Sequence, residues 1–151
     1  MAGNVKRQYP FGVRHVAMLA GGSGVTPMLQ ILHAMLGNSS EAATVTLLYS
    51  NRNQDDIIAR STLQAWQAGS RGRLSVVHTL TREPPQSSWS GHRGRVGREM
   101  IAQHFPPPSS SVLVFVCGTD SMYESFSGPR RGAFGGLLQE MGYAEAQVVK
   151  L

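Results

Sequence analysis

Residues 19–32 read LAGGSGVTPMLQIL, and the reading of this stretch decides the fold. An apolar run ends at Gly21 and Gly22, Ser23 and Gly24 follow, and a helix-spaced apolar pattern opens at once. Thr26 is expected to cap that helix, with Pro27 at the first helical position, where a missing N–H costs nothing. Met28, Leu29, Leu32, Met35 and Leu36 form its apolar stripe, and Gly37-Asn38 ends it. A strand that turns through glycines straight into a helix gathers backbone N–H groups and the positive end of a helix dipole. That point is a seat for a phosphate or a carboxamide.

Taken alone, the turn is weak evidence. Gly22, Gly24 and Pro27 give G-x-G-x-x-P, which lacks the third glycine of a dinucleotide fingerprint, and no Lys-Ser/Thr pair follows as in a phosphate-binding loop. A tight turn in an unrelated α/β domain stays open as the plain alternative.

Outward from the turn, short β-rich runs alternate with helical patterns, which predicts an α/β domain with a parallel sheet. Strands are expected at 15–20, 44–50, 74–80, 111–116 and 147–151, in the order 3-2-1-4-5, flanked by helices. The second and fourth runs, TVTLLYS and SVLVFV, are nearly continuous in apolar or β-branched residues, as strands covered on both faces should be. A second helix is expected to start at Asp55 or Asp56 and to carry Ile58, Leu63 and Trp66. A third spans 98–104, before the triple proline at 106–108. A fourth ends at Met141 before Gly142, with Phe134, Leu137 and Leu138 on its apolar face. REPPQSSWSGHRGR (82–95) and SGPRRGAFGG (127–136) read as loops.

The chain has 151 residues, and 41% of them are hydrophobic, which fits one globular domain with a real core. No apolar run approaches the roughly 20 residues that cross a bilayer, and residues 1–10 lack the apolar centre of a signal peptide, so no membrane contact is expected of this segment. Cys117 is the single cysteine and rules out an intrachain disulfide. His15, His33, His78, His92 and His104 are scattered, with no pair at metal-ligand spacing on one helix face, and read as structural or exposed. The net charge is +5, and between Arg60 and Arg98 seven arginines face a single acid, Glu83. A solvated basic face and a site for phosphate on a small ligand are both open. Nucleic acid is disfavoured by the few aromatic residues and the lack of a nucleic-acid motif.

Four stretches, MLAGGSGVTPMLQIL, LLYSNRNQDDII, HTLTREPP and VFVCGTDSMY, occur in the order and spacing of the nucleotide domain of the ferredoxin-NADP reductase superfamily. They most closely resemble its NADH-cytochrome b5 reductase branch, and the resemblance covers nearly the whole chain. It implies a domain over 15–151 that holds NADH or NADPH near a flavin, with residues 1–14 the linker from a preceding flavin-binding domain. It further implies hydride transfer to FAD and single-electron transfer to a haem protein. Gly21, Gly22, Ser23 and Gly24 then face the nicotinamide and pyrophosphate, Ser23 standing where the branch usually has threonine. Cys117, with Gly118, Thr119 and Met122 beside it, orients the nicotinamide against the flavin; a buried small hydrophobe is the alternative reading of the thiol.

The departures from the branch carry information. An aspartate is common at the position of Thr81, where it repels a 2′-phosphate. Here Thr81-Arg82 resembles the Ser-Arg pair of NADPH-using relatives, Arg95 stands where a phenylalanine is frequent, and Arg52 where glutamine is. NADPH tolerance is therefore expected. Arg130 and Arg131 lie in a loop longer than the family's usual one, which could help dock an acidic acceptor such as cytochrome b5, or could simply be solvated. Leu151 replaces the aromatic terminus of many relatives, so access to the nicotinamide is expected to be less gated.

The R-x-Y-[ST] flavin motif does not occur in these residues, so FAD is expected to be held mainly by a separate N-terminal domain. By itself the chain is expected to bind nucleotide weakly and to catalyse nothing measurable. The competing reading is a stand-alone, non-catalytic nucleotide-binding or sensor module. The residues leave the compartment unset, since a membrane anchor would lie upstream.

Overall fold

The computed structural model describes residues 12–38 and 42–151, so the linker expected over 1–14 falls almost wholly outside the described residues. Six parallel strands form one sheet: β1 His15–Gly21, β2 Thr44–Asn51, β3 Leu74–Leu80, β4 His92–Arg93, β5 Val112–Cys117 and β6 Val148–Lys150. Their order is β4-β3-β2-β1-β5-β6. The five expected strands keep their relative order; the expected count of five is corrected by β4, which extends the sheet beyond β3. The helices are α1 Val25–Gly37, α2 Arg60–Gly69, α3 Arg98–His104, α4 Asp120–Phe126 and α5 Gly136–Glu140.

Alternation along the strands builds two cores. On one face Met18, Leu47, Tyr49, Leu113 and Phe115 pack with Met28 and Leu32 of α1 and Leu63 of α2. On the other, Leu19, Leu48, Val114 and Val116 pack with Ile101 of α3, Tyr123 and Phe126 of α4, and Leu138 of α5. Side chains two apart share a face, so runs that are apolar at every position must be buried on both sides. Their register brings Gly21 opposite Ser50, Asn51 opposite Leu80, and Ala20 opposite Cys117. The carboxyl ends of β1, β2, β3 and β5 thereby meet along one edge of the sheet.

Strand β4 lies inside a stretch expected to be loop. His-Arg between glycines has no periodicity to read, and tertiary hydrogen bonds make the strand. Thr79 Oγ1 donates to the Gly94 carbonyl at 2.7 Å, Gly94 N–H to the Leu80 carbonyl at 2.9 Å, and the Trp89 indole to the His92 carbonyl at 2.9 Å. The Arg93 guanidinium gathers the rest of the loop, donating to the carbonyls of Glu83, Pro84, Ser87 and Trp89 at 2.9–3.2 Å.

Three helix expectations are corrected. Thr26 and Pro27 lie inside the first turn of α1, whose N-cap is Gly24, because a 3-10 turn over Gly22–Gly24 winds straight into the helix. Asp55 and Asp56 belong to a separate 3-10 turn, Gln54–Asp56. The chain bends through left-handed Ala59 (φ 58°) before α2 begins at Arg60, which leaves Ile58 outside the helix and 44% exposed. Helix α4 was not expected; Thr119 caps it, its Oγ1 accepting from the Met122 N–H at 3.3 Å. The last expected helix is shorter, with Phe134 ahead of it and Gly142 beyond its end at φ 101°.

The histidines are less scattered than their spacing implies. His92 and His104 join Nε2 to Nε2 at 2.7 Å, tying β4 to the end of α3. His78 lies between the rings of Tyr49 and Trp89, at 5.7 and 6.3 Å between centroids.

Burial lowers the pKa of His15, His78 and His104 below the ordinary imidazole value of 6.5, with Arg60 adding to the effect at His78 and His92 at His104. The unfolded chain takes up these protons first, so the stabilisation is complete above 6.5 and is lost as pH falls through the lower folded values. Thermal melts between about pH 7.5 and about pH 5 should lose several degrees on the acid side, and His78→Phe should flatten the slope. A melting temperature that holds or rises on acidification contradicts this account.

Candidate functional site

At the carboxyl edge of the sheet lies a groove with two lobes. The first, about 420 Å³, is lined by Gly21, Gly22, Ser23, Asn51, Asp56 and Gly118, and the second, about 450 Å³, by Arg82, Gly94, Arg95, Val96, Ser121, Ser125 and Phe126. Ser50, Arg52, Thr81, Thr119 and Met122 line both and make the lobes continuous. The groove opens between β1 and β5, where the strand order reverses, the usual ligand position in open parallel sheets.

The glycine lobe depends on close packing. A Cβ on Gly24 would stand 2.3 Å from the Cys117 carbonyl oxygen, so only glycine lets the turn lie on the end of β5. Gly22 takes φ 53°, the left-handed region, and its carbonyl accepts from the Tyr49 hydroxyl at 2.9 Å. The Met122 thioether fills the gap between Gly21 and Gly118; a Cβ on either would come within 2.1 and 2.5 Å of its sulfur.

The arginine lobe is cationic. Arg52, Arg82 and Arg95 line it, none of their guanidinium groups has a hydrogen-bond or ion-pair partner among the described residues, and no carboxylate lines it. Backbone ladders hold two of them in place: Thr81 N–H donates to the Asn51 carbonyl and Arg82 N–H to the Arg52 carbonyl, each at 2.9 Å. Glu83, the single acid of the arginine-rich stretch, accepts from the Gln54 side-chain amide at 2.9 Å and its N–H at 3.1 Å, and these bonds hold its pKa below the ordinary value. Arg60, Arg73 and Arg98 have structural tasks, as Arg93 has in the loop. Arg73 donates to the Met35 carbonyl at the end of α1, Arg98 pairs with Glu140 at 3.2 Å, and Arg60 lies 5.5 Å over the Trp89 ring.

Of the expected site residues, Gly21, Gly22, Ser23, Arg52, Thr81, Arg82, Arg95, Gly118, Thr119 and Met122 line the groove. Gly24 supports it from behind, while Thr26, Pro27 and Cys117 line neither lobe. Cys117 ends β5 half-buried, and its thiol meets the Tyr123 hydroxyl. Burial and this neighbour push the tyrosine up to about 12, and the hydroxyl donates to the Leu151 carbonyl. Sequence reasoning missed Ser50, Asn51, Asp56, Ser121 and Ser125; the first two follow directly on the apolar run of β2, which is where the carboxyl-edge rule looks. Arg130 and Arg131 lie outside the groove, Arg130 placing its guanidinium 5.8 Å from the Tyr123 ring centre.

A parallel sheet covered on both faces, with a glycine turn at the reversal of strand order and cations beyond it, defines a nucleotide-binding α/β domain. Comparison with known proteins gives the particular kind. The chain belongs to the oxidoreductase NAD-binding domain family, whose model matches residues 18–127. It is similar to NADH-cytochrome b5 reductase 2 of Botryotinia fuckeliana, 34% identical across 95% of this chain and 43% of the relative. The cytochrome b5 reductase domain of Ulva prolifera nitrate reductase superposes with a TM-score of 0.80 at 26% identity, over 92% of this chain and 50% of that one. The CS-b5R domains of human Ncb5or, in their NAD+ form, give 0.76 at 27% identity, over 92% and 37%. The chain thus spans less than half the length of the curated relative.

Gly24→Ala should lower stability by about 1–3 kcal/mol, since backbone rather than a flexible side chain meets the new methyl. Denaturant melts check this, and near-native stability contradicts it.

Proposed function

We propose that this domain is the nicotinamide-nucleotide half of a flavin-dependent reductase, which delivers hydride to FAD and then single electrons to a haem protein such as cytochrome b5. The two-lobed groove carries the reading: a close-packed glycine wall continuous with three unpaired guanidinium groups. The residues fit a dinucleotide. Its adenosine end, with the 2′-phosphate where there is one, would meet Arg52, Arg82 and Arg95, and its nicotinamide and pyrophosphate would face Gly21 to Gly24 and Gly118. Thr119 and Met122, which line both lobes, would border its middle. The nucleotide supplies the hydride. Gly24 and Met122 set the shape of the wall that orients it, and the Cys117-Gly118 corner fixes that wall against β5.

The names of the similar reductases support NADH as donor. The arginine lobe extends this to NADPH, because Thr81 offers no charge against a 2′-phosphate and Arg82 and Arg95 stand free to bind one. FAD would be held mainly by an N-terminal domain of the whole protein, as the similar proteins' greater length suggests. Arg130 and Arg131 are candidates for meeting an acidic acceptor.

Titration with NADH and NADPH at two salt concentrations tests the nucleotide preference. At low salt NADPH should bind at least as tightly as NADH, with its margin shrinking as salt rises. Thr81→Asp should weaken NADPH about tenfold and NADH little, given about 1.5–3 kcal/mol per charge-assisted hydrogen bond. NADH binding much tighter than NADPH at low salt overturns the NADPH proposal.

A further inference from the structure

We propose that Tyr49 is a positioning residue for the glycine turn, holding it in the shape that receives the nicotinamide half of the ligand. The inference rests on the nucleotide reading of the groove. Tyr49 is fully buried in β2, lines neither lobe, and belongs to the core against α1 and α2. Its hydroxyl donates to the Gly22 carbonyl at 2.9 Å and accepts from the Ile58 N–H at 3.2 Å. One buried oxygen thus joins a left-handed glycine on the ligand wall to the bend ahead of α2, where Ala59 takes φ 58°.

The bond is well suited to hold a turn. Gly22 has no side chain to restrain its peptide, so the orientation of its carbonyl, and of the Ser23 N–H in the same peptide unit, follows from the two donors that grip the oxygen, the Val25 N–H at the end of the 3-10 turn and the Tyr49 hydroxyl from the core. The β2 ladder fixes the tyrosine backbone, and the core fixes its ring. Burial raises the Tyr49 pKa, the dominant effect, while the Ile58 N–H and the nearby Asn51 side chain oppose it, so the hydroxyl stays a donor at neutral pH. Asn51 stands beside that oxygen with its own Nδ2 buried and unpartnered among the described residues, and it leaves the Gly22 bond to the tyrosine.

Tyr49→Phe removes the hydroxyl and keeps the ring. Dissociation constants for NADH and NADPH should rise about tenfold, while those for adenosine and 2′-AMP, which lack the 5′-phosphate and meet the arginine lobe, should stay within about twofold. A merely structural role would weaken all four ligands together or none, and either result overturns the proposal. In the native sequence, hydrogen exchange gives a second reading that does not depend on the variant folding. The Ile58 amide lies outside both lobes, and NADH should slow its exchange several-fold while 2′-AMP does not; an unchanged rate with NADH overturns the proposal. Failure of the native chain to bind any dinucleotide would overturn the nucleotide reading as well, whereas native binding retained in Tyr49→Phe overturns this inference alone.

Discussion

The α-carbon of Gly24 lies against the Cys117 carbonyl, so that a methyl group there would fall 2.3 Å from the oxygen. This contact joins the end of β5 to the turn after β1, at the point where the order of strands reverses. The 3-10 turn, the start of α1 and the wall formed by Gly21, Met122 and Gly118 all follow from that approach. A larger residue would push the turn off the sheet and open the wall that faces the ligand. The constraint is steric and local, and it accounts for glycines in a stretch that fails the usual dinucleotide pattern.

Electrostatics divides the groove into unlike ends. The glycine lobe offers backbone, the carboxylate of Asp56 and the shared Arg52, whereas the arginine lobe adds Arg82 and Arg95 and has no carboxylate. A ligand with an anionic end and a flat, neutral end matches this polarity. The arginines are available because Glu83, the nearest acid in sequence, is engaged by Gln54, whereas Arg73 and Arg93 hold carbonyls, Arg60 an aromatic ring and Arg98 Glu140.

Most of the sheet and the glycine turn were legible in the sequence, because runs such as TVTLLYS and SVLVFV have to be buried on both faces and glycines before a helix-spaced pattern mark a strand-to-helix turn. Strand β4 was not legible: His92 and Arg93 carry no period, and Thr79, Trp89 and Gly94 make the strand through contacts distant in sequence. Helix α4 is only seven residues long and was not read from the sequence, although Thr119 three residues ahead of Met122 was a readable cap. Thr26 misled as a cap because the 3-10 turn already starts the winding. For the site, the sequence pointed to Arg52, Arg82 and Arg95 by comparison with a family, but sorting free arginines from structural ones required the tertiary hydrogen bonds. Tyr49 had no signal of its own, since a buried aromatic on a strand reads as core.

Backbone amide shifts recorded as NADH is added test the central claim most directly. The account predicts perturbations concentrated at Gly21 to Gly24, Asn51 and Arg52, Thr81 and Arg82, Gly94 and Arg95, and Gly118 to Met122, with α5 and the loop around Arg130 unaffected. Shifts centred elsewhere, or none at saturating NADH, would contradict it.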